Sequence, residues 1–110
     1  MKVKTINIAK DYSESPSGRH PVDGEYNGET FRDYLLIPAL QEADRVCVEI
    51  DGPLGYPSSF SEEAFGGLIR AGVKLEDVKK KLKIIFKHEK YKLYHDNIWR
   101  YIESAHDKML

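Results

Sequence analysis

The chain opens with a short alternation of apolar and polar positions. In KVKTINIAK the apolar side chains are Val3, Ile6 and Ile8, and β-branched residues are frequent. Alternation of this kind is typical of a strand buried on one face, so we predict a first strand over residues 2–8. The segment DYSESPSGRHPVDGEYNG is rich in serine, proline and glycine, which predicts a loop with room for a short second strand from Arg19 to Val22.

A first helix is predicted from Asn27 to about Ala43. The Asn27 side chain can accept the N–H of Thr30, as an N-cap residue does. Pro38 lacks an N–H, so we expect a kink or a tightened turn there. The apolar positions recur at the helical period: Phe31, Tyr34, Leu35, Ala39 and Leu40.

Two further apolar runs predict strands. Residues 46–50, VCVEI, are apolar at both parities except at Glu49, which indicates a central strand covered on both faces. Residues 83–86, KIIF, predict another buried strand, and residues 75–80 before them predict a short helical turn.

A second helix is predicted to begin at Ser59. Ser59 and Glu62 have the spacing of a capping box, in which each side chain bonds the other's backbone N–H, and Gly72 is the expected end. Gly66 and Gly67 inside this helix disfavour it, so we expect close packing against a strand or a neighbouring helix as compensation. The apolar face consists of Phe60, Ala64, Phe65, Leu68, Ile69 and Ala71.

A final amphipathic helix is predicted over residues 89–107, where tyrosine and isoleucine recur at helical spacing. The predicted order is therefore β, β, α, β, α, β, α. Alternating strands and helices indicate a single small α/β domain over residues 1–110, with about four strands and three main helices.

Composition limits the functional classes. The 110 residues are 41% hydrophobic and carry 17 Lys and Arg against 18 Asp and Glu, for a net charge of -1. This balance excludes a disordered chain and gives no global field for nucleic acid, so a nucleic-acid site would need a local basic patch. The lone Cys47 cannot form an internal disulfide, and no apolar run is long enough for a membrane span, so we expect a cytoplasmic protein.

Catalytic and metal chemistry find little support in the residue spacing. The histidines, at positions 20, 88, 95 and 106, do not form the i, i+4 pair of a zinc protease, and Cys47 has no local base. Asp51, Glu62 and Glu63 could serve acid–base work or Mg²⁺ binding, but capping, solvation and turn formation explain them better. We therefore predict no catalytic residue, no metal and no cofactor.

Two loops are the best candidates for a site. GYPSSF, residues 55–60, places Ser58 and Ser59 where a strand's carboxyl end meets a helix amino end, which favours an anion or a phosphorylated side chain. SESPSGR, residues 13–19, offers a candidate anion site. Its members are Ser17, Gly18 and Arg19. If their strands are neighbours, the two loops meet at one edge of the sheet.

Three stretches in this order carry a family resemblance: KDYSESPSGR, NGETFRDYLLIPAL and VEIDGPLGYPSSFSEEAFGGLIR. They resemble the prokaryotic STAS-like domain family, over about Val3 to Ala105. The resemblance implies a fold similar to that of anti-sigma-factor antagonists, a mixed sheet in the order β-β-α-β-α-β-α, and it favours the second strand.

In those antagonists a serine before the helix is phosphorylated by a kinase of the histidine-kinase-like ATPase class, which switches partner binding. The corresponding residues here are 56–61, with Ser58 or Ser59 as the phosphosite. This sequence departs from the antagonists, because Pro57-Ser58-Ser59-Phe60 replaces their Asp-Ser-Ser-Gly turn. Glu62 and Glu63, one turn away, would repel a phosphate.

Two functions are therefore expected. The first is a non-enzymatic regulatory or protein-interaction module, whose partner is an ATPase of the kinase type or a transcriptional regulator. Its interface would be Ser58, Ser59, Phe60, Glu62, Glu63, Gly66 and Gly67. The alternative is a small-molecule or nucleotide-binding domain with weak hydrolase activity, which would use Arg19 and the amino end of the second helix.

Overall fold

The computed structural model describes all 110 residues and contains three strands and five helices. The strands are β1 (Val3–Asn7), β2 (Arg45–Glu49) and β3 (Leu82–Ile85). Three helices are regular: α1 (Ile8–Asp11), α4 (Leu75–Lys81) and α5 (Lys92–Asp107). Two contain a π turn: α2 (Gly28–Phe31, π turn Arg32–Leu36, Ile37–Glu42) and α3 (Ser58–Ser61, π turn Glu62–Gly66, Gly67–Arg70).

The sheet is entirely parallel, in the order β1-β2-β3, with Ile6, Val48 and Ile84 in register. Each step along the sheet is a crossover in the same direction, and right-handed crossovers then place α2 and α3 on the same face. The predicted strands 2–8, 46–50 and 83–86 and the helical turn after Leu75 are confirmed within a residue or two.

The second strand predicted from Arg19 to Val22 is wrong. Pro21–Asp23 form a 3₁₀ turn, whose Asp23 carboxylate accepts the N–H groups of Arg19 and His20, each at 3.0 Å. Pro21 has no N–H, so this segment has few donors left for a ladder. The sheet consequently has three parallel strands, where a mixed sheet of about four was expected.

The expectation that β2 is covered on both faces is also wrong. Val46 and Val48 are fully buried beneath the helices, but Cys47 and Glu49, which point the other way, are only half-buried. On β3, the neighbour of Cys47 in register, Lys83, is exposed, and the neighbour of Glu49, Ile85, is half-buried. Cys47 is the apolar residue on the second face of β2. It suggested that this face is buried, but the topology places no helix over it.

Helix α2 begins as predicted, since the Asn27 side chain accepts the Thr30 N–H at 2.9 Å. The tightened turn expected at Pro38, however, does not form. The helix widens one turn earlier, where the Ile37 N–H reaches back five residues to the Arg32 carbonyl. A π turn of this kind accommodates one extra residue without ending the helix.

The capping box predicted for α3 is wrong. The helix begins at Ser58 after Pro57, and no side chain caps it. Glu62 turns away from the helix start and binds two arginines, Arg19 and Arg70. Charge-assisted bonds to two guanidinium groups outcompete one bond to a backbone N–H.

The close packing expected at the two helical glycines is confirmed. A side chain at Gly66 would lie 3.2 Å from the Tyr101 carbonyl of α5, and one at Gly67 would occupy the place of the Arg32 guanidinium. Gly72 follows α3 with a φ of +100°, the left-handed conformation expected of a helix end. The final helix is confirmed too, with a 3₁₀ turn at Glu89–Tyr91 before α5. None of the helices combines the length and the apolar character needed to cross a membrane.

The contacts at the first residues of α2 and α3 predict how two substitutions change stability. Asn27 is buried, and it both caps α2 and donates to the Gly24 carbonyl at 2.8 Å. Asn27→Ala should lower the free energy of unfolding by about 1–2 kcal/mol. Ser59→Ala removes no cap, so it should change stability by less than about 0.5 kcal/mol. Chemical denaturation of both variants checks this, and equal losses would contradict the assigned helix starts.

Candidate functional site

The two candidate loops do meet at the carboxyl edge of the sheet. They enclose an open groove of about 440 Å³ together with Tyr94 of α5. Glu14, Ser15, Pro16 and Ser17 line one wall, and Leu54, Gly55, Tyr56 and Pro57 line the other. The site is therefore a groove with a polar wall and an apolar wall.

The apolar wall is held rigidly from beneath by two tyrosines. The Tyr56 hydroxyl donates to the Ile50 carbonyl at 2.7 Å, and burial raises the pKa of Tyr56 well above its usual value. The Tyr91 hydroxyl donates to the Pro53 carbonyl at 2.5 Å and accepts the Gly52 N–H at 3.1 Å. Leu54, between these anchors, is 94% exposed. The exposed Leu54 side chain therefore lies on a loop that these hydrogen bonds hold in place.

Ser58 and Ser59 stand at the start of α3, next to the groove. Ser58 is exposed and Ser59 is half-buried. The first N–H groups of a helix have no intrahelical acceptor, and the Pro57 residue before them has no capping side chain. The Ser58 hydroxyl thus sits in a positive, uncapped helix end.

The predicted anion site is not assembled. Ser17 lines the groove, whereas the Gly18 carbonyl accepts the Gly28 N–H at 3.0 Å. The Arg19 guanidinium lies against two carboxylates, 2.6 Å from Glu62 and 3.4 Å from Glu63. The charge that was expected to hold an anion is therefore neutralised within the chain.

Arg32 joins α2 to α3, and sequence reasoning missed it. Its guanidinium donates to the Glu63 carboxylate at 2.7 Å and to the Glu63 carbonyl at 3.0 Å. Both side chains are only 11% exposed. The expectation of a solvated Glu63 is therefore wrong. The available signal was Gly67, whose missing side chain leaves the space that this guanidinium occupies.

The remaining acidic residues have structural roles too. Hydrogen bonds from Arg70 and, to a smaller extent, from Arg19 lower the pKa of Glu62 to about 2, so Glu62 stays ionised and is unsuited to act as a general acid. Asp51 accepts the backbone N–H groups of Lys87 and His88, at 2.8 and 2.9 Å, and so orders the turn after β3. We name the five side chains that these arginine–glutamate contacts join the ion cluster: Arg19, Arg32, Glu62, Glu63 and Arg70.

The buried pair of the ion cluster makes a second prediction. Arg32→Met removes the guanidinium that bonds Glu63 Oε2 and the Glu63 carbonyl, and the buried carboxylate keeps only the longer contacts of Oε1 with Arg19 and Arg70, at 3.4 and 3.6 Å; the loss should cost about 3 kcal/mol of unfolding free energy. Arg70→Met is the matched control, because Arg70 is half-exposed and Glu62 keeps Arg19; it should cost less than about 1 kcal/mol. Urea denaturation measures both, and similar costs would show that the Arg32–Glu63 pair does not join the helices.

Glu62 also predicts how stability depends on pH. Its pKa lies at about 2 in the folded chain, against an ordinary value of 4.5, so the unfolded chain takes up this proton first as pH falls. The stability that it contributes is present above about pH 4.5 and disappears toward pH 2. Glu62→Gln should make the acid decline shallower. Glu76→Gln, which removes an exposed glutamate without an ion pair, should leave the decline unchanged; melting curves from pH 7 to 2 compare them.

The comparisons with known proteins identify a family. A family model described as a STAS-like domain of unknown function (DUF4325) matches residues 27–87, more than half of the chain. No curated protein and no solved structure matches. The matched stretch contains α2, β2, the groove loop with Leu54, α3 and β3, whereas Arg19 lies before it. The chain belongs to this family of STAS-like domains.

Proposed function

We propose that this chain is a non-enzymatic protein-interaction module that acts in partner switching, as STAS-type domains do. Its interface is the docking edge, defined as Leu54, Pro57, Ser58 and Tyr94. A kinase-type ATPase or a transcriptional regulator is the kind of partner that the family resemblance suggests.

The exposed Leu54 carries this proposal. An apolar side chain that is 94% exposed on a loop held by two buried tyrosine hydroxyls cannot withdraw into the core. A partner that covers it would gain apolar burial without paying to order the loop. The groove beside it supplies the concave surface that such a partner's side chain would enter.

The interface that we propose is smaller than the one expected from the sequence, which extended from Ser58 to Gly67. Phe60, Glu63, Gly66 and Gly67 are buried, so they support the surface from beneath. Ser58 and parts of Ser59 and Glu62 remain accessible near the start of this helix. The partner would therefore meet the start of α3 and the loop before it, and would not lie along the helix.

Phosphorylation of Ser58 is the switch that we propose for this edge. The serine is exposed at an uncapped helix start, where a phosphate would meet unpaired N–H groups. The acidic charge of Glu62 and Glu63 is offset by three arginines, which reduces the repulsion that a phosphate would meet. The added charge would then act on the partner beside Leu54.

Pull-down from the native host, with quantitative mass spectrometry, tests the interface. We expect a specific partner whose recovery falls at least about tenfold for Leu54→Asp, because a charge replaces the apolar contact. Leu110→Asp is the matched control: Leu110 is 91% exposed and lines a different cavity, so recovery should not change. The charge-mimicking Ser58→Glu should also lower recovery, and Ser58→Ala should not.

Three results would contradict the proposal. One is that no specific protein is recovered, and another is equal recovery with Leu54→Asp and Leu110→Asp. The third is a rise in melting temperature with nucleotides that Arg19→Ala abolishes, which would favour the nucleotide-binding alternative. That result would require Arg19 to leave Glu62 and Glu63, its present partners.

A further inference from the structure

One face of the sheet is covered by no helix. Its side chains come from alternate positions of all three strands, and every one of them is exposed or half-buried. We name this surface the open face: Val3, Thr5 and Asn7 of β1, Arg45, Cys47 and Glu49 of β2, and Lys83 and Ile85 of β3.

An open face is unusual for this topology. Parallel sheets occur almost only with both faces covered, whereas antiparallel sheets often leave one face to solvent. Here the sheet is parallel, and the open face carries apolar side chains at its centre and edges, namely Cys47, Ile85 and Val3. The surface therefore has the character of one that another element covers.

The segment that contains β3 has a strongly biased charge. Residues 74–92 hold eight lysines against Glu76, Asp77 and Glu89, a net charge of +5 in a chain whose total is -1. Lys80, Lys83 and Lys87 precede, occupy and follow β3, and all three are exposed. None of the three makes an ion pair, and neither does Arg45 on the open face. Glu49 is the face's one acidic residue, and it is bonded by Asn7.

The size of the open face indicates which kind of partner it can bind. Three strands at about 4.8 Å spacing and five residues at about 3.3 Å give a surface of roughly 14 by 17 Å. A stable pairing of two copies usually buries about 800 Å² on each partner, several times this area. A single helix, about 10 Å wide with its side chains, fits the face along three turns.

We propose that the open face binds one acidic amphipathic helix of a protein partner. The narrow apolar stripe of that helix packs on Cys47 and Ile85, and its flanking carboxylates face Arg45 and Lys83. This surface shares no residue with the docking edge, so the proposal does not depend on the proposed function.

Cys47 supplies the measurement, because it is the chain's single cysteine and lies half-buried on the central strand of the open face. The probe is a synthetic helical peptide of about 18 residues, long enough to be helical in water, with a leucine stripe flanked by glutamates. We expect the peptide to slow maleimide modification of Cys47 at least about fivefold. Amide shifts in NMR spectra should map to the three strands.

Charge variants test the orientation. Lys83→Glu and Arg45→Glu should each weaken the peptide about tenfold or more, because attraction becomes repulsion. Lys108→Glu is the matched control: Lys108 is exposed near the chain's end, makes no ion pair, and lies on no strand, so affinity should stay within about twofold.

Each other outcome overturns the proposal. Equal protection by a peptide with lysine flanks would remove the charge argument. Stronger protection by a DNA duplex would assign the face to nucleic acid. Protection that rises with protein concentration alone, with a dimer in light scattering, would assign it to a second copy. Lack of protection by any of these probes would mean that the face is simply solvated.

Discussion

The fold depends on a guanidinium that is shared between two helices. Arg32 leaves a π turn of α2 and meets Glu63 in a π turn of α3, in the space that Gly67 leaves free. Burial of two charges is costly unless each has its partner, so any shift of the helices that separates Arg32 from Glu63 is disfavoured. The aromatic core joins the same two helices: Phe31 of α2 lies 5.8 and 6.1 Å from Phe60 and Phe65 of α3, between ring centroids.

This constraint extends to the surface through the other arginines. Arg19 fastens the loop after α1 to α3, and Arg70 holds the same glutamate from the helix's far end. The first residues of α3 and the loop before them are thereby fixed relative to the 13–17 loop, with the groove between them. Glu62, Glu63 and Arg19 were the sequence's candidates for acid–base work or anion binding. In the structure they pair with one another and support the docking edge.

Sequence patterns located most of the elements, because strand alternation and helical periodicity report burial on one side of the chain. They failed where a long-range partner decides the local conformation. Ser59 and Glu62 form a sound capping motif, yet two distant arginines take the carboxylate. The apolar pattern of α2 does not indicate that Arg32 is buried, and its partner Glu63 lies on a different helix, α3. The second strand failed for a local reason, since Asp23 closes a 3₁₀ turn around Pro21.

The covering of the sheet could not be foreseen from β2 alone, because the hand and direction of two crossovers decide it. Both crossovers run the same way, so the helices gather on one face, and the ion cluster forms among them. On the helical side Lys79 and Lys92 pair with Glu103 and Asp96, whereas Lys80, Lys83 and Lys87 have no ion-pair partner within the chain. The chain is nearly neutral overall, but its charges are unevenly placed: Glu62 and Glu63 are paired with arginines next to the docking edge, whereas the unpaired Lys80, Lys83 and Lys87 lie before, on and after β3, an edge strand of the sheet.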